Sequence, residues 1–212
     1  MDTTQSRVRG IRKVTDNPFL NYYELETVRK NGSQGRYFLA SRCGTPEELE
    51  IQTGVNHPDG VVIFALYGEQ RDRVVLVRQF RYPINGFIYE LPAGLIEPGE
   101  DYRTAGIREM KEETGLTLTA YPADPMFERP FYTTVGMTDE SCCMIYGTAA
   151  GQPSRAGLEA GEDLDIVLAD RDEIRRILRE ERVALNCAFM LMHFLRDPQD
   201  PFAFLRAGRE DI

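Results

Sequence analysis

Between Asp101 and Gly115 the chain spells a helix whose inward stripe changes character halfway along, and any fold of this sequence has to accommodate that change. At about 100° per residue, Tyr102, Ala105 and Gly106 point one way, and Glu109, Glu112 and Glu113 continue along the same direction. The stripe begins small and apolar and ends in three carboxylates. They repel one another, and burial makes the repulsion worse. Asp101 stands where an N-cap accepts backbone N–H groups, and Gly115 where a helix closes in the left-handed region. From these residues alone the acidic end has two readings. It is a solvated, Glu-rich surface, or it is a site for a hard cation such as magnesium, which takes carboxylate oxygen and water and sits beside phosphates. Arg108 precedes Glu109 and lies one helical turn before Glu112, so it can orient that carboxylate.

Elsewhere the pattern alternates in the manner of strands. Asn21 to Lys30 and Arg36 to Cys43 are rich in aromatic and branched residues and flank the turn cluster Asn-Gly-Ser-Gln-Gly. They predict an N-terminal antiparallel hairpin, preceded by a strand near Val8 to Thr15. The run from Gly44 to Gly54 breaks the pattern and reads as the edge of a linker. Further strands are expected over Gly60 to Tyr67, Arg73 to Phe80, Phe87 to Glu90, Leu116 to Tyr121, Ser141 to Gly147 and Asp163 to Leu168. Helices are expected over Arg171 to Arg179 and Ala184 to Leu195. Strands and helices mix without regular βαβ alternation, which gives an α+β fold. The expected organisation is an N-terminal β subdomain over 1–55, a main domain over 56–198 and a tail over 199–212.

Charge and composition narrow the function. There are 34 acidic and 25 basic residues, a formal net charge of −9, with no basic cluster to override it, so nucleic acid is an unfavourable partner. A small anion held locally by one or two Arg and a metal is compatible with that field. No apolar run approaches the ~20 residues of a membrane span, and no apolar segment follows the basic residues of the N-terminus. Cys43, Cys142, Cys143 and Cys187 form no CxxC pair, which suits reduced thiols in a cytoplasmic protein. His57 and His193 are too few and too far apart for a His-based zinc site or a Ser/His/Asp triad.

The residues around the acidic helix decide between its two readings. Gly94-Leu95-Ile96-Glu97-Pro98-Gly99-Glu100 leads into it, and it ends Arg108-Glu109-Met110-Lys111-Glu112-Glu113-Thr114-Gly115-Leu116. This resembles the Nudix box at every fixed position. Average residue usage makes a chance match on the order of one in a million or rarer. The resemblance implies the Nudix fold, a mixed β-sheet sandwiched between helices, and hydrolysis of a nucleoside diphosphate linked to another group. It implies magnesium as cofactor, with manganese as the other cation considered. Glu109 and Glu113 become the principal metal ligands, Glu112 shares the metal or its water, and the carbonyl of Ala93 completes the set. Glu100 supports the helix.

A narrower resemblance lies outside the box. Leu76 to Arg81, followed by Glu90-Leu91-Pro92-Ala93-Gly94, is similar to the ADP-ribose pyrophosphatase branch. That branch implies a homodimer exchanging its N-terminal β domain, with Arg81 and Glu90 on the substrate side. It implies hairpin aromatics on the adenine, here Tyr22 and Tyr37, with Tyr23 and Phe38 facing the other way. An Arg paired on the surface and an aromatic packed into a core are the plainer alternatives. Gly136-Met137-Thr138-Asp139-Glu140 is similar to the loop that delivers a catalytic glutamate, which makes Glu140 the general base or the orienter of water. Val135 stands where the branch carries Pro, and the stretch from Ala120 to Pro130 is longer than usual, so substrate choice stays open. The implied reaction is ADP-ribose to AMP and ribose 5-phosphate. Another nucleoside diphosphate sugar is the alternative substrate, and a non-hydrolytic nucleotide sensor is the alternative class.

Overall fold

A computed structural model describes residues 6–158 and 161–206 of the 212-residue chain. Its strands and helices in chain order are β1 (Val8–Lys13), β2 (Asn21–Val28), β3 (Gln34–Ser41), α1 (Glu50–Thr53), β4 (Gly60–Tyr67), β5 (Arg73–Arg81), β6 (Gly86–Glu90), β7 (Ala93–Leu95), α2 (Tyr102–Thr114), β8 (Thr117–Ala120), α3 (Pro125–Glu128), β9 (Phe131–Tyr132), β10 (Ser141–Ala150), β11 (Leu164–Ala169), α4 (Arg171–Glu180) and α5 (Leu185–Arg196). They group into two compact units. The first is Met1–Asp59 with Pro130–Cys142, and the second is Gly60–Arg129 with Cys143–Ile212. The stretch from Pro130 to Cys142 thus groups with the N-terminal part.

In the first unit β1, β2 and β3 form an antiparallel meander in that order. Leu25 lies opposite Ile11 on one side and Tyr37 on the other, and Tyr23 lies opposite Leu39. Residues of like parity on β2 and β3 therefore share a face, because side chains alternate along a strand. This corrects the expected grouping of the aromatics. Tyr22 and Phe38 share the outer face and stack with ring centroids 5.7 Å apart. Tyr23 is fully buried, and Tyr37 falls on the same side as Tyr23, opposite to Tyr22.

The segment from Gly44 to Gly54 is also no loose edge. The Glu48 carboxylate accepts the N–H groups of Gly44 and Thr45, a 3₁₀ turn covers Pro46–Glu48, and α1 closes at Gly54 with φ 69°. Between them Leu49 is fully buried in a core with Tyr23, Leu25 and Leu39. One apolar residue among acids leaves no period to read, so the sequence pattern hides it.

In the second unit the main sheet runs β11-β5-β4-β10-β8, with β6 on β5 and β7 on β4. Every residue of β4 from Gly60 to Leu66 is buried, so both faces of the strand are covered. Val61, Ile63 and Ala65 pack with Ala105 and Met110 of α2 and with Ile145. On the other face Phe64 meets Tyr146 and Phe202 edge-on. The sheet is thus enclosed between α2 and the C-terminal elements, and the α+β sandwich expected from the sequence is the fold found. Cys142 is half-buried and Cys143 buried, as alternation on a strand requires.

The long stretch from Ala120 to Pro130 holds α3, capped by Asp124. Its Glu128 is buried and accepts hydrogen bonds from Arg103 Nε at 3.1 Å and the Tyr102 hydroxyl at 3.0 Å. The expected tail from 199 is folded as far as Arg206, with Phe202 and Leu205 buried, and the rest of it lies outside the described residues. Among the described residues no helix is long and apolar enough to cross a membrane.

Truncating Leu49 tests whether the segment from Gly44 to Gly54 is core. Leu49→Ala should cost about 2–5 kcal/mol, the range for deleting a buried leucine. Thermal unfolding of the variant should show a clearly lower midpoint. An unchanged midpoint would return the segment to the status of a linker.

Candidate active site

The site is built on α2. Asp101 caps its N-terminus, accepting from the N–H groups of Arg103 and Thr104, and Gly115 closes it with φ 71°. The buried line runs through Ala105, Gly106, Met110 and Glu113. Glu109 is half-buried and Glu112 exposed. The inward stripe predicted through all three glutamates therefore holds fully only for Glu113. Met110 takes the core position beside it, and Glu112 turns outward.

Arg108 explains where Glu112 goes. Its Nη1 donates to Glu109 Oε1 at 2.8 Å and to Glu112 Oε2 at 2.9 Å. Its Nε and Nη2 donate to Glu100 at 3.1 and 2.9 Å, and Nη2 also to the Leu95 carbonyl at 3.0 Å. One guanidinium with its fork of donors thus holds three carboxylates and the strand before the helix. Glu100 also accepts the Glu97 N–H at 3.1 Å, so it braces the loop into α2.

Among the described residues no cation forms an ion pair with Glu113 in this way. Its Oε2 accepts the Ala93 N–H at 3.2 Å. Burial pushes its carboxyl up to about 8, and the charges of Glu109 and Glu162 push the same way, while Arg81 offsets them only in part. Burial also raises Glu109, against the pull of Arg108, and Glu112 and Glu162 add to the rise. Gly94 leaves room for Glu109. A Cβ there would lie 1.9 Å from the carboxyl carbon, inside the carboxylate itself.

These observations test the fit of a metal. Two crowded carboxylates with all-oxygen donors suit a hard divalent cation, whose charge would relieve the repulsion between them. Among the described residues no three His, Cys, Asp or Glu side chains already converge at ligand spacing. Glu112, tied to Arg108, is the member held off. The donor types fit such a cation, which Glu109 and Glu113 would hold, while Glu112 is tied to Arg108.

Other residues marked in the sequence fall into place around this core or apart from it. Arg81 Nε donates to Glu90 at 2.8 Å, and the Arg81 charge also reaches Glu113, so these three belong together. In the first unit the Glu140 carboxylate accepts from Arg42 at 3.2 Å and from the Thr133 hydroxyl at 2.8 Å. Asp139 accepts from the Ser41 hydroxyl at 3.0 Å, and the Tyr37 hydroxyl donates to the Gly136 carbonyl at 2.6 Å. The residue the sequence reading missed is Glu162, just before β11, whose charge bears on both Glu109 and Glu113. It carries no signal of its own in the sequence, because the run around it holds several acids and only the fold selects one.

Comparison with known proteins follows the same lines. Residues 56–184 match the NUDIX domain family. A methanol dehydrogenase activator of Bacillus methanolicus is 33% identical over 159 residues, 71% of this chain and 82% of that protein. An ADP-ribose pyrophosphatase of Saccharomyces cerevisiae is 30% identical over 142 residues, 65% of this chain and 55% of its own length. Another, of Bacillus subtilis, is 36% identical over 104 residues, 44% and 51% respectively. The matches span about half the length of those two pyrophosphatases. A crystal structure of an ADP compounds hydrolase shares the fold with TM-score 0.61 at 16% identity, covering 89% of this chain and 93% of that one.

The raised carboxyl of Glu113 has a signed consequence for stability. Its folded value lies above that of the unfolded chain, so its favourable contribution is complete below about pH 4.5 and is lost as pH rises through about 8. In metal-free protein at pH 8, Glu113→Gln should raise the melting temperature by several degrees, at roughly 2–4 °C per kcal/mol for a chain of this size. Near pH 4.5 the two proteins should melt together. A variant that melts lower than the parent at pH 8 would contradict the burial of an uncompensated charge.

Proposed function

The chain belongs to the Nudix hydrolase family, and from that premise we propose that it hydrolyses the diphosphate bond of ADP-ribose, giving AMP and ribose 5-phosphate, with a divalent cation as cofactor. The carrying observation is the crowded pair Glu109 and Glu113, held beside Arg81 at the end of a helix that Arg108 and Glu100 fix in place. The relatives named ADP-ribose pyrophosphatase support the substrate, and the alternative is another nucleoside diphosphate sugar.

The roles follow from the groups present. Glu109 and Glu113 would hold magnesium or manganese, with the Ala93 carbonyl and Glu112 completing the shell. When bound, the cation neutralises diphosphate charge and lowers the pKa of a coordinated water. Arg108 keeps Glu109 and Glu112 aligned. Arg81, already paired with Glu90, offers a guanidinium to a phosphate or ribose oxygen, and exchanging a carboxylate for a phosphate keeps its charge compensated. Tyr22, stacked with Phe38 on the outer face of its sheet, offers a ring face to an adenine, whereas Tyr37 lies on the opposite face. Glu162 is the acid outside the helix whose charge reaches the pair, so it takes the task of orienting the attacking water and accepting its proton. Glu140, the residue expected there, is occupied in its own unit with Arg42 and Thr133. The working protein is proposed to be a cytoplasmic homodimer.

A panel of nucleotide sugars assayed with magnesium tests the substrate. ADP-ribose should release AMP at least tenfold faster than UDP- and GDP-sugars, and an equal or reversed order would overturn the choice. A magnesium series separates ligands from the water-orienting acid. Glu109→Gln should recover part of its rate as magnesium rises. Glu162→Gln should lose roughly 10²–10⁴ in kcat, as removal of a general base does, with KM little changed and no rescue. If Glu140→Gln shows that behaviour and Glu162→Gln does not, the role returns to Glu140. Light scattering should give a mass near twice that of the chain, and a monomer at micromolar concentration would sink the dimer.

A further inference from the structure

We infer that Arg12 and Arg36, on the outer face of the N-terminal sheet, form a subsite for a phosphate carried on the adenosine ribose, so that the preferred nucleotide is one phosphorylated at its 2′ or 3′ oxygen. The inference rests on the reading above that Tyr22 receives the adenine.

Strand register brings the groups together. Glu24 lies opposite Arg12 on β1 and opposite Phe38 on β3, while Arg36 lies opposite Glu26 and Tyr22 opposite Ala40. Side chains alternate along a strand, so Tyr22, Glu24, Phe38, Arg36 and Arg12 share the outer face. Tyr22 and Phe38 stack there with their rings 4° from parallel, and both are exposed. Beside them one carboxylate serves two guanidiniums. Glu24 Oε2 pairs with Arg12 Nη2, and Glu24 Oε1 lies 3.0 Å from Arg36 Nε. Glu24 is buried, whereas the two arginine side chains are 69% and 73% exposed.

The arrangement is suited to an anion arriving from outside. A guanidinium has five N–H donors in a planar fork, and each arginine meets Glu24 through one nitrogen. The rest of each fork can take a phosphate, with which Arg forms its strong, bidentate pairs. Glu26 faces Arg36 across the strands but is turned the other way. Its carboxylate lies over Gly10 of β1, where a Cβ would stand 2.8 Å from Oε2. From Ser6 to Cys43 eight basic residues stand against three acidic ones, in a chain of net charge −9. The sheet is thus a basic element of an acidic protein, and its field favours an anionic ligand.

Position and charge then select the anion. Arg36 and Phe38 are two residues apart on β3, about 7 Å along the same face. A base laid on the Tyr22–Phe38 pair brings its own ribose beside the guanidiniums. The diphosphate is already provided for by the cation and Arg81. An unmodified adenosine offers the two arginines neutral hydroxyls alone. A phosphomonoester on that ribose, with a charge of about −1.5 to −2 at neutral pH, matches a pair of guanidiniums held in place by a buried glutamate.

Titration calorimetry on the full-length protein tests this with AMP, adenosine 2′,5′-bisphosphate and adenosine 3′,5′-bisphosphate, the last two differing from the first by one phosphate. At least one bisphosphate should bind about tenfold or more tightly than AMP, the scale of one charge-assisted hydrogen bond. The tighter of the two identifies the oxygen. Arg12→Gln and Arg36→Gln, exposed substitutions that each leave Glu24 its other arginine, should cut that advantage to roughly threefold or less. Tyr22→Ala should weaken all three ligands alike, because it removes the platform for the base. Bisphosphates bound no better than AMP overturn the subsite, and so does an advantage that both arginine variants retain. In either case a loss of AMP binding in Tyr22→Ala leaves the adenine reading standing. AMP binding that Tyr22→Ala leaves unchanged, or no binding of any of the three, removes the reading on which the inference rests.

Discussion

Burying Glu113 at the foot of α2 carries a cost that the apolar half of the same helix offsets. At neutral pH a carboxyl held near 8 implies ~3 kcal/mol of unfavourable folding free energy, counted against an ordinary glutamate. Met110, Ile63 and Ile145 are fully buried around that helix, and each such side chain contributes about 1.5–3 kcal/mol. The packing comfortably exceeds the penalty, so the helix can present an unfavourable charge in a fixed place. Arg108 takes Glu100, Glu109 and Glu112 to itself, which reduces the penalty at Glu109 and leaves Glu113 as the most strongly raised of the helix carboxyls. Strain of this kind is what makes a cation site selective for a cation, since the free energy recovered on binding is stored beforehand.

How much of this could be read from the sequence depends on the range of the interaction. The cap at Asp101, the stop at Gly115 and the run Arg108 to Glu113 are local, and side chains a turn apart reveal themselves by spacing. The three strands of the first unit were readable for the same reason. Leu49 was not, because a single apolar residue between acids shows no period, and its partners Tyr23, Leu25 and Leu39 come from other strands. The pairing of Tyr22 with Phe38 depends on the register of β2 on β3, which the turn sets and composition does not reveal. An ideal helix puts Glu112 on the buried stripe, whereas the competition of Met110 for the core and of Arg108 for the carboxylate decides the matter. Glu162 is the clearest case, since its charge bears on Glu109 and Glu113, which lie far away in the chain.

The insertion around α3 shows another non-local device. Glu128 is buried and held by Arg103 and Tyr102, both in the first turn of α2. Removing one partner of such an arrangement leaves a buried charge or donor uncompensated, which costs more than the pair contributes. The first turn of α2 is thereby fixed from the side, as Arg108 fixes its last turn from within. Together they make the helix a rigid element, which is what a site accurate to fractions of an ångström demands.

The stretch from Pro130 to Cys142 lies inside the region shared with the family, yet it is structurally part of the first unit. The Ala40 N–H donates to the Met137 carbonyl at 3.0 Å, and Ser41 and Arg42 hold Asp139 and Glu140. The N-terminal sheet is consequently no detachable cassette. An ancestral gene could not have acquired or shed it by a single splice near residue 55 without orphaning a loop it braces. Insertions and deletions in the two stretches are therefore expected to occur together in descendants of such a gene, as a change to one strips hydrogen-bond partners from the other.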